Sequence, residues 1–176
     1  MVAISTQFVL PLASAVLLLA AALSDLAWRI IPNRIPVLVA GLGLVSHIII
    51  GDPLWALVGG ASVFAVCAVL WRFKVIGGGD VKLLAAVAFC VPPANLLGLY
   101  VAITLAGGGL ALIYLVLRPV MRRLVPRILA QLPQTAALWR RVARVEFWRI
   151  GRGRSMPYGI AIAIGTLTIL IQGIHP

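Results

Sequence analysis

The sequence predicts an all-α polytopic membrane protein with six transmembrane helices and a cytoplasmic interfacial helical segment between the fifth and the sixth. Of its 176 residues, 62% are hydrophobic, and the mean hydropathy is +1.11. Long apolar runs alternate with short polar segments, and the basic residues occupy only some of those segments. These features are typical of integral membrane proteins rather than soluble domains. We expect one membrane domain, residues 1–176.

The apolar runs set the predicted spans, and the fourth of them is unusually short. No Lys or Arg precedes the first run, so we expect a retained span rather than a cleaved signal peptide. The fourth run would extend about 18 Å, against a hydrocarbon core of roughly 30 Å. Neighbouring helices must therefore shield it, or irregular backbone must extend it. The six predicted spans are approximately residues 6–28, 34–50, 54–71, 80–91, 94–117 and 157–174.

The basic residues predict the orientation. All 15 follow the first, third or fifth span, or flank the start of the next one. With six spans they all lie on one face, which the positive-inside rule assigns to the cytoplasm, with both termini outside. This separation also explains the net charge of +11, because such basic residues determine topology and attract anionic lipids. We therefore expect no binding of nucleic acid.

The predicted cytoplasmic loop, residues 118–156, carries ten of the basic residues. Apolar side chains recur in it at helical spacing, with arginines on the other faces, which is typical of a helix lying in the membrane interface. Lipid anchoring and the docking of a partner or substrate are both open for this helix. The apolar positions are Leu138, Val142, Val145 and Trp148.

Two of the four acidic residues are candidates for chemistry. Asp52 lies in an external turn and Glu146 in the arginine-rich loop, and we expect both to be ordinary surface charges. Asp25 ends the first span and Asp80 begins the fourth, so two crossings return the chain to the same face at similar depth. Ionisable residues at membrane depth are costly and suggest function.

A pair of carboxylates in a partly dry site can divide acid and base roles. When two approach closely, one tends to stay protonated while the other acts as a base. The pair can then activate a water against an amide carbonyl and protonate the leaving nitrogen. No metal-ligand cluster or paired nucleophile competes for the role, and no cofactor is expected. Glycines before Asp80 would let backbone approach a peptide closely, although Asp80 could instead simply cap a helix.

Three sequence blocks follow one another along the chain. The first block is Asp25 followed by Ile31-Pro32-Asn33. The second is Gly77-Gly78-Gly79-Asp80-Val81-Lys82, and the third is Met156-Pro157-Tyr158-Gly159-Ile160-Ala161. In this order the blocks resemble a known family, the type IV prepilin (leader) peptidases, which are GxGD-type aspartyl proteases. GxGD alone is a weak signal, but the three blocks in this order are specific.

The resemblance implies an aspartyl endopeptidase of the bacterial inner membrane that removes a short basic leader from prepilins and pseudopilins at the cytoplasmic boundary, for pilus or secretion assembly. It assigns Asp25 and Asp80 as the catalytic pair. The remaining residues of the blocks would support the motif or position substrate. These are Pro32, Asn33, Gly77, Gly78, Gly79, Lys82, Pro157, Tyr158 and Gly159.

The sequence differs from longer members of that family, which carry paired Cys-x-x-Cys motifs and often methylate the new N-terminus. Cys67 and Cys90 are far apart and form no such motif. The chain therefore resembles the compact form of Flp (tight-adherence) pilus systems, and we expect no methyl transfer. Two alternatives are a small proton-coupled transporter, which would place its aspartates near the midplane, and a non-catalytic subunit of a pilus or secretion system.

Overall fold

The described part of the chain, residues 2–131 and 138–174, is a bundle of seven α-helices in this computed structural model, with side chains described for residues 9–124 and 142–172. No strand occurs in those residues, so the all-α prediction is confirmed for them. A single 3₁₀ turn, Pro93–Asn95, precedes α5. The helices are α1 (Val2–Trp28), α2 (Arg34–Ile50), α3 (Pro53–Arg72), α4 (Gly78–Ala88), α5 (Leu96–Gln131), α6 (Leu138–Arg152) and α7 (Tyr158–Ile174).

Three segments are long and apolar enough to cross a membrane, judged by length and composition. They are Val9–Trp28, Pro53–Arg72 and Pro93–Leu124. Two shorter apolar helices cover Arg34–Ile50 and Tyr158–Gln172. The protein is therefore a membrane protein, while a count of six crossings requires the shorter helices to span as well and stays a prediction.

The short helix α4 lies inside the bundle. It packs against α2, α3 and α7, and its apolar side chains are buried around the whole helix. Its 11 residues extend about 16 Å, so the expectation that neighbouring helices shield it is confirmed. A helix that is apolar on every face is stable only in such surroundings. Its buried residues are Val81, Leu83, Leu84, Ala85, Ala86, Val87 and Ala88.

The far end of α4 is fixed by a close approach to α2. A Cβ added at Gly43 would lie 2.2 Å from the carbonyl oxygen of Phe89, which no side chain could tolerate. The Cys90 thiol also lies 3.5 Å from the carbonyl oxygen of Val39. Since Gly43 is in the middle of α2, α4 ends near the middle of that helix rather than at its far end.

The other half of the bundle joins α1, α5 and α7, with α6 packed on α5 and on the end of α1. Its core contains fully buried apolar side chains from all three long elements: Leu18, Leu99, Ile103 and Ile162. The predicted cytoplasmic loop is mostly helical, because α5 continues to Gln131 and α6 covers Leu138–Arg152. The helix predicted in this loop is thus present, and its position at a membrane interface stays a prediction.

Candidate active site

The predicted site lies where α1 ends and where α4 and α7 begin. Asp25 is in the last turn of α1 and only 7% exposed, whereas Asp80 is the third residue of α4 and half-buried. The two carboxylates lie near enough for the charge of Asp25 to influence Asp80. The structure therefore brings together two residues that the sequence separates by two helices.

The Asp25 carboxylate caps the last helix. Its Oδ2 accepts a hydrogen bond of 2.8 Å from the backbone N–H of Gly159, the second residue of α7. The first N–H groups of a helix have no partner within it, and the positive end of the helix dipole favours a negative charge there. The N-terminus of α7 thus provides both a hydrogen-bond donor and a favourable electrostatic field for the Asp25 carboxylate.

Gly159 permits this contact because it has no side chain. A Cβ at that position would lie 3.0 Å from both the Cβ and the Oδ2 of Asp25. Its neighbour Pro157 is fully buried before the first turn. The half-buried ring of Tyr158 fills the space above Gly107 of α5, where a Cβ would lie 2.9 Å from the ring. The third sequence block thus begins α7 and reaches Asp25 directly through Gly159.

The three glycines before Asp80 are not equivalent in their surroundings. Gly77 precedes α4, and the Asp80 side chain turns back towards it, so that a Cβ at Gly77 would lie 3.0 Å from Oδ2. Asp80 also interacts with the Gly77 backbone, as an acidic residue three positions after an N-cap often does. At Gly78 a Cβ would meet Trp71 at 3.2 Å, and at Gly79 it would meet Ile31 at an ordinary 3.5 Å.

The first two sequence blocks also meet in space. Ile31 is buried beside Gly79, and the exposed Asn33 accepts a hydrogen bond of 2.8 Å from Lys82 Nζ. Asn33 forms no side-chain cap on α2. Pro32 is exposed in the same connection. This contact holds the connection between α1 and α2 beside the start of α4.

Glu146 is not the ordinary surface charge that the sequence suggested. It is 7% exposed, on the face of α6 that packs against α5 and α1. Its carboxylate accepts hydrogen bonds from Arg29 Nη2 at 2.7 Å, from Arg149 Nη1 at 3.1 Å and from the hydroxyl of Tyr114. This cluster was not predicted from the sequence. Its signal was an acidic residue four positions from Val142 and four from Ile150, on an apolar helix face.

Asp52 lies away from this site. Its side chain is 38% exposed and pairs with Nδ1 of the buried His47 at 2.8 Å, so it also does more than face solvent. Arg29, by contrast, is near enough to interact with both Asp25 and Asp80. Arg149 is also near enough to influence Asp25, so the candidate site comprises two carboxylates, a helix N-terminus, a glycine segment and two neighbouring guanidinium groups.

Comparison with known proteins places the chain in a family. The sequence profile of the Type IV leader peptidase family matches residues 12–116, which include Asp25 and Asp80. Prepilin peptidase EppA of Methanothermobacter thermautotrophicus is 38% identical over 79 residues, which cover 41% of this chain and 20% of that protein. The chain thus spans about a fifth of that relative's length. No solved structure matches it. The chain belongs to the type IV leader peptidase family.

Proposed function

We propose that this protein is an aspartyl endopeptidase that removes the short basic leader from prepilin-like proteins. The observation that carries this proposal is that Asp25, at the end of α1, and Asp80, at the start of α4, lie near each other beside a glycine segment. A glycine segment next to two carboxylates leaves room for an extended peptide backbone. Family membership supports the choice of a leader peptide as substrate.

The contacts of the two carboxylates suggest how they divide the work. Burial of Asp25 disfavours its ionised form, but the backbone N–H of Gly159 at the positive end of α7 favours that form, and we propose Asp25 as the base on the strength of this contact. Asp80 would carry the proton. Asp25 then removes a proton from a water whose oxygen attacks the scissile carbonyl carbon. As the tetrahedral intermediate collapses, the C–N bond breaks and the nitrogen takes a proton from Asp80.

Substrate direction follows from the charge distribution. The basic residues of the described segments collect where α1, α3 and α5 end and where α2, α4 and α7 begin, which is also the end of the bundle that holds the site. We infer that this end faces the cytoplasm, that both termini face outside, and that the membrane is the bacterial inner membrane. A prepilin would then arrive with its apolar stem in the bilayer and its leader at the site.

Anionic lipids are the proposed partners of the basic end. Arg118, Arg122 and Arg123 line an open depression of about 510 Å³ on α5. Lipid phosphates are attracted to such arginines, which would hold this end at the membrane surface. We place the protein with the compact peptidases of Flp pilus systems, on the resemblance described above.

The decisive experiment is coexpression with candidate prepilins, read as a size shift of the pilin on a gel. Wild-type protein should release the leader. Replacing Asp25 with Asn should prevent it, while membrane insertion stays intact. Cleavage by the Asn variant at the wild-type rate would contradict the proposal.

A further inference from the structure

We propose that Glu146 is a positioning residue that anchors helix α6 to the end of α1 and thereby holds Asp25 in its working geometry. This inference deepens the proposed peptidase function and rests on it. Three helices meet at the Glu146 carboxylate. Arg29 follows α1, Tyr114 belongs to α5, and Arg149 lies one turn further along α6.

The anchor reaches the backbone of the turn that carries Asp25. Nη1 of Arg149 donates to Glu146 and also to the carbonyl oxygen of Leu26, each at 3.1 Å. The last four carbonyl groups of a helix have no partner inside it, so this bond satisfies one of those acceptors on α1. Leu26 is the residue next to Asp25, so this bond ties α6 to the helical turn that carries the Asp25 carboxylate.

Arg29 supplies a second connection to the same turn. Its backbone N–H donates to the carbonyl oxygen of Asp25 at 2.9 Å, which closes the final turn of α1. Arg29 adopts a φ of 58°, a left-handed conformation that a residue other than glycine rarely takes. Surrounding contacts must hold such a conformation in place. The Arg29–Glu146 ion pair of 2.7 Å is the contact that can do so.

The charges near Asp25 give Glu146 a second effect. Nε and Nη1 of Arg29 are buried and have no hydrogen-bond partner among the described residues, so Glu146 is the acceptor that holds this guanidinium. The guanidinium is also close enough to interact with Asp25 and Asp80. Without Glu146, both carboxylates would compete to bind Arg29. The acid and base roles of the pair would then be disturbed although neither aspartate had changed.

The test uses Glu146→Gln, which keeps the size of the side chain and removes its charge. We expect kcat to fall about tenfold or more, because displacement of a reacting group by about 1 Å can cost about 10²-fold. KM for prepilin should stay within about threefold, since Glu146 is not proposed to touch substrate. Hydrogen exchange of the amides at residues 26–31 should become faster, while exchange around the distant His47 stays unchanged.

Asp52→Asn is the matched control, because it also removes a carboxylate from an ion pair, at a distance from the site. It should leave kcat and exchange at residues 26–31 as in wild type. Where Glu146→Gln is not recovered folded, Glu146→Asp decides, since it keeps the charge and withdraws it by one methylene. That variant should show at least a threefold loss of kcat at unchanged KM.

Wild-type kcat and wild-type exchange in Glu146→Gln, or in Glu146→Asp where that variant decides, would overturn the proposal. So would a loss of activity that appears only in KM. If the wild-type protein cleaves no prepilin at all, the proposed peptidase function fails. The exchange measurement then still tests the anchor, because faster exchange at residues 26–31 in the variant requires no catalysis.

Discussion

Asp25 accepts a hydrogen bond of 2.8 Å from the backbone N–H of Gly159, although 134 residues separate the two in sequence. The contact joins the end of the first helix to the start of the last. It also gives the third sequence block a physical role, since a residue with a side chain at position 159 would displace the carboxylate. The site thus depends on packing between helices that are distant in sequence, and not only on a local motif.

The first prediction concerns the two carboxylates. Asp25→Asn or Asp80→Asn should lower leader cleavage at least about 10²-fold, because the amide is similar in size but cannot exchange the proton. The double variant should be scarcely worse than either single one, since residues that act as a unit are non-additive. Cleavage rates of purified variants in detergent measure both effects. Asp52→Asn is the control and should keep most of the activity.

The second prediction concerns Gly159. Gly159→Ala should lower kcat about tenfold or more, because its Cβ would lie 3.0 Å from the Asp25 carboxylate and push it out of position. Gly108→Ala is the matched control, since a Cβ there meets nothing within 4 Å. Equal cleavage rates in the two variants would contradict the proposed role of the contact with α7.

The third prediction concerns the glycines before Asp80. Gly79→Ala should be expressed and folded like wild type, because its Cβ would make only an ordinary 3.5 Å contact with Ile31. Any loss of cleavage in this variant would then report on approach of the substrate backbone. Gly60→Ala is a contrasting variant, as its Cβ would lie 2.1 Å from the Phe89 ring. Melting temperatures in detergent should fall for Gly60→Ala and not for Gly79→Ala.

The fourth prediction concerns topology. Reporter fusions after Ile50 should report the outside, and fusions after Lys74 or Gly153 should report the cytoplasm, because every basic residue belongs to the same face of the six-span arrangement. An external Gly153 would place the site away from newly made prepilins and would refute the arrangement.

The fifth prediction concerns methyl transfer. Purified protein with prepilin and labelled S-adenosylmethionine should release the leader without labelling the mature pilin. The reason is that Cys67 and Cys90 form no Cys-x-x-Cys motif. Label on pilin in a reaction with no other enzyme would refute this expectation.

Periodicity and charge predicted much of the fold from the sequence. Apolar runs and prolines predicted the helices, and the short run before Pro92 predicted a shielded α4. The burial of Glu146 was missed because its position in an arginine-rich loop suggested an ordinary surface charge. Tyr114 and Arg29 have no local pattern that connects them to Glu146, since only tertiary packing brings α5, α6 and the end of α1 together.

The candidate site was predicted less completely than the helices. A shared face and depth for Asp25 and Asp80 follow from counting crossings, and the structure places the two residues near each other. The hydrogen bond from Gly159 could not be predicted in the same way, because it depends on the position of α7 along the axis of α1. Such distances depend on side-chain packing across several helices and leave no short-range pattern in the sequence.

The position of α4 has a consequence for the surrounding lipid. Its far end meets Gly43, in the middle of α2, so in the six-span arrangement a non-helical turn lies at hydrocarbon depth. Phe89, Cys90 and Val91 of that turn are at least half-buried by protein, which is the condition under which irregular backbone is tolerated at this depth. Asp80 therefore lies on a helix that is too short to span the hydrocarbon core of a bilayer. Changes in acyl-chain length should tilt the longer helices around it, while the depth of Asp80 relative to Asp25 stays set by protein contacts.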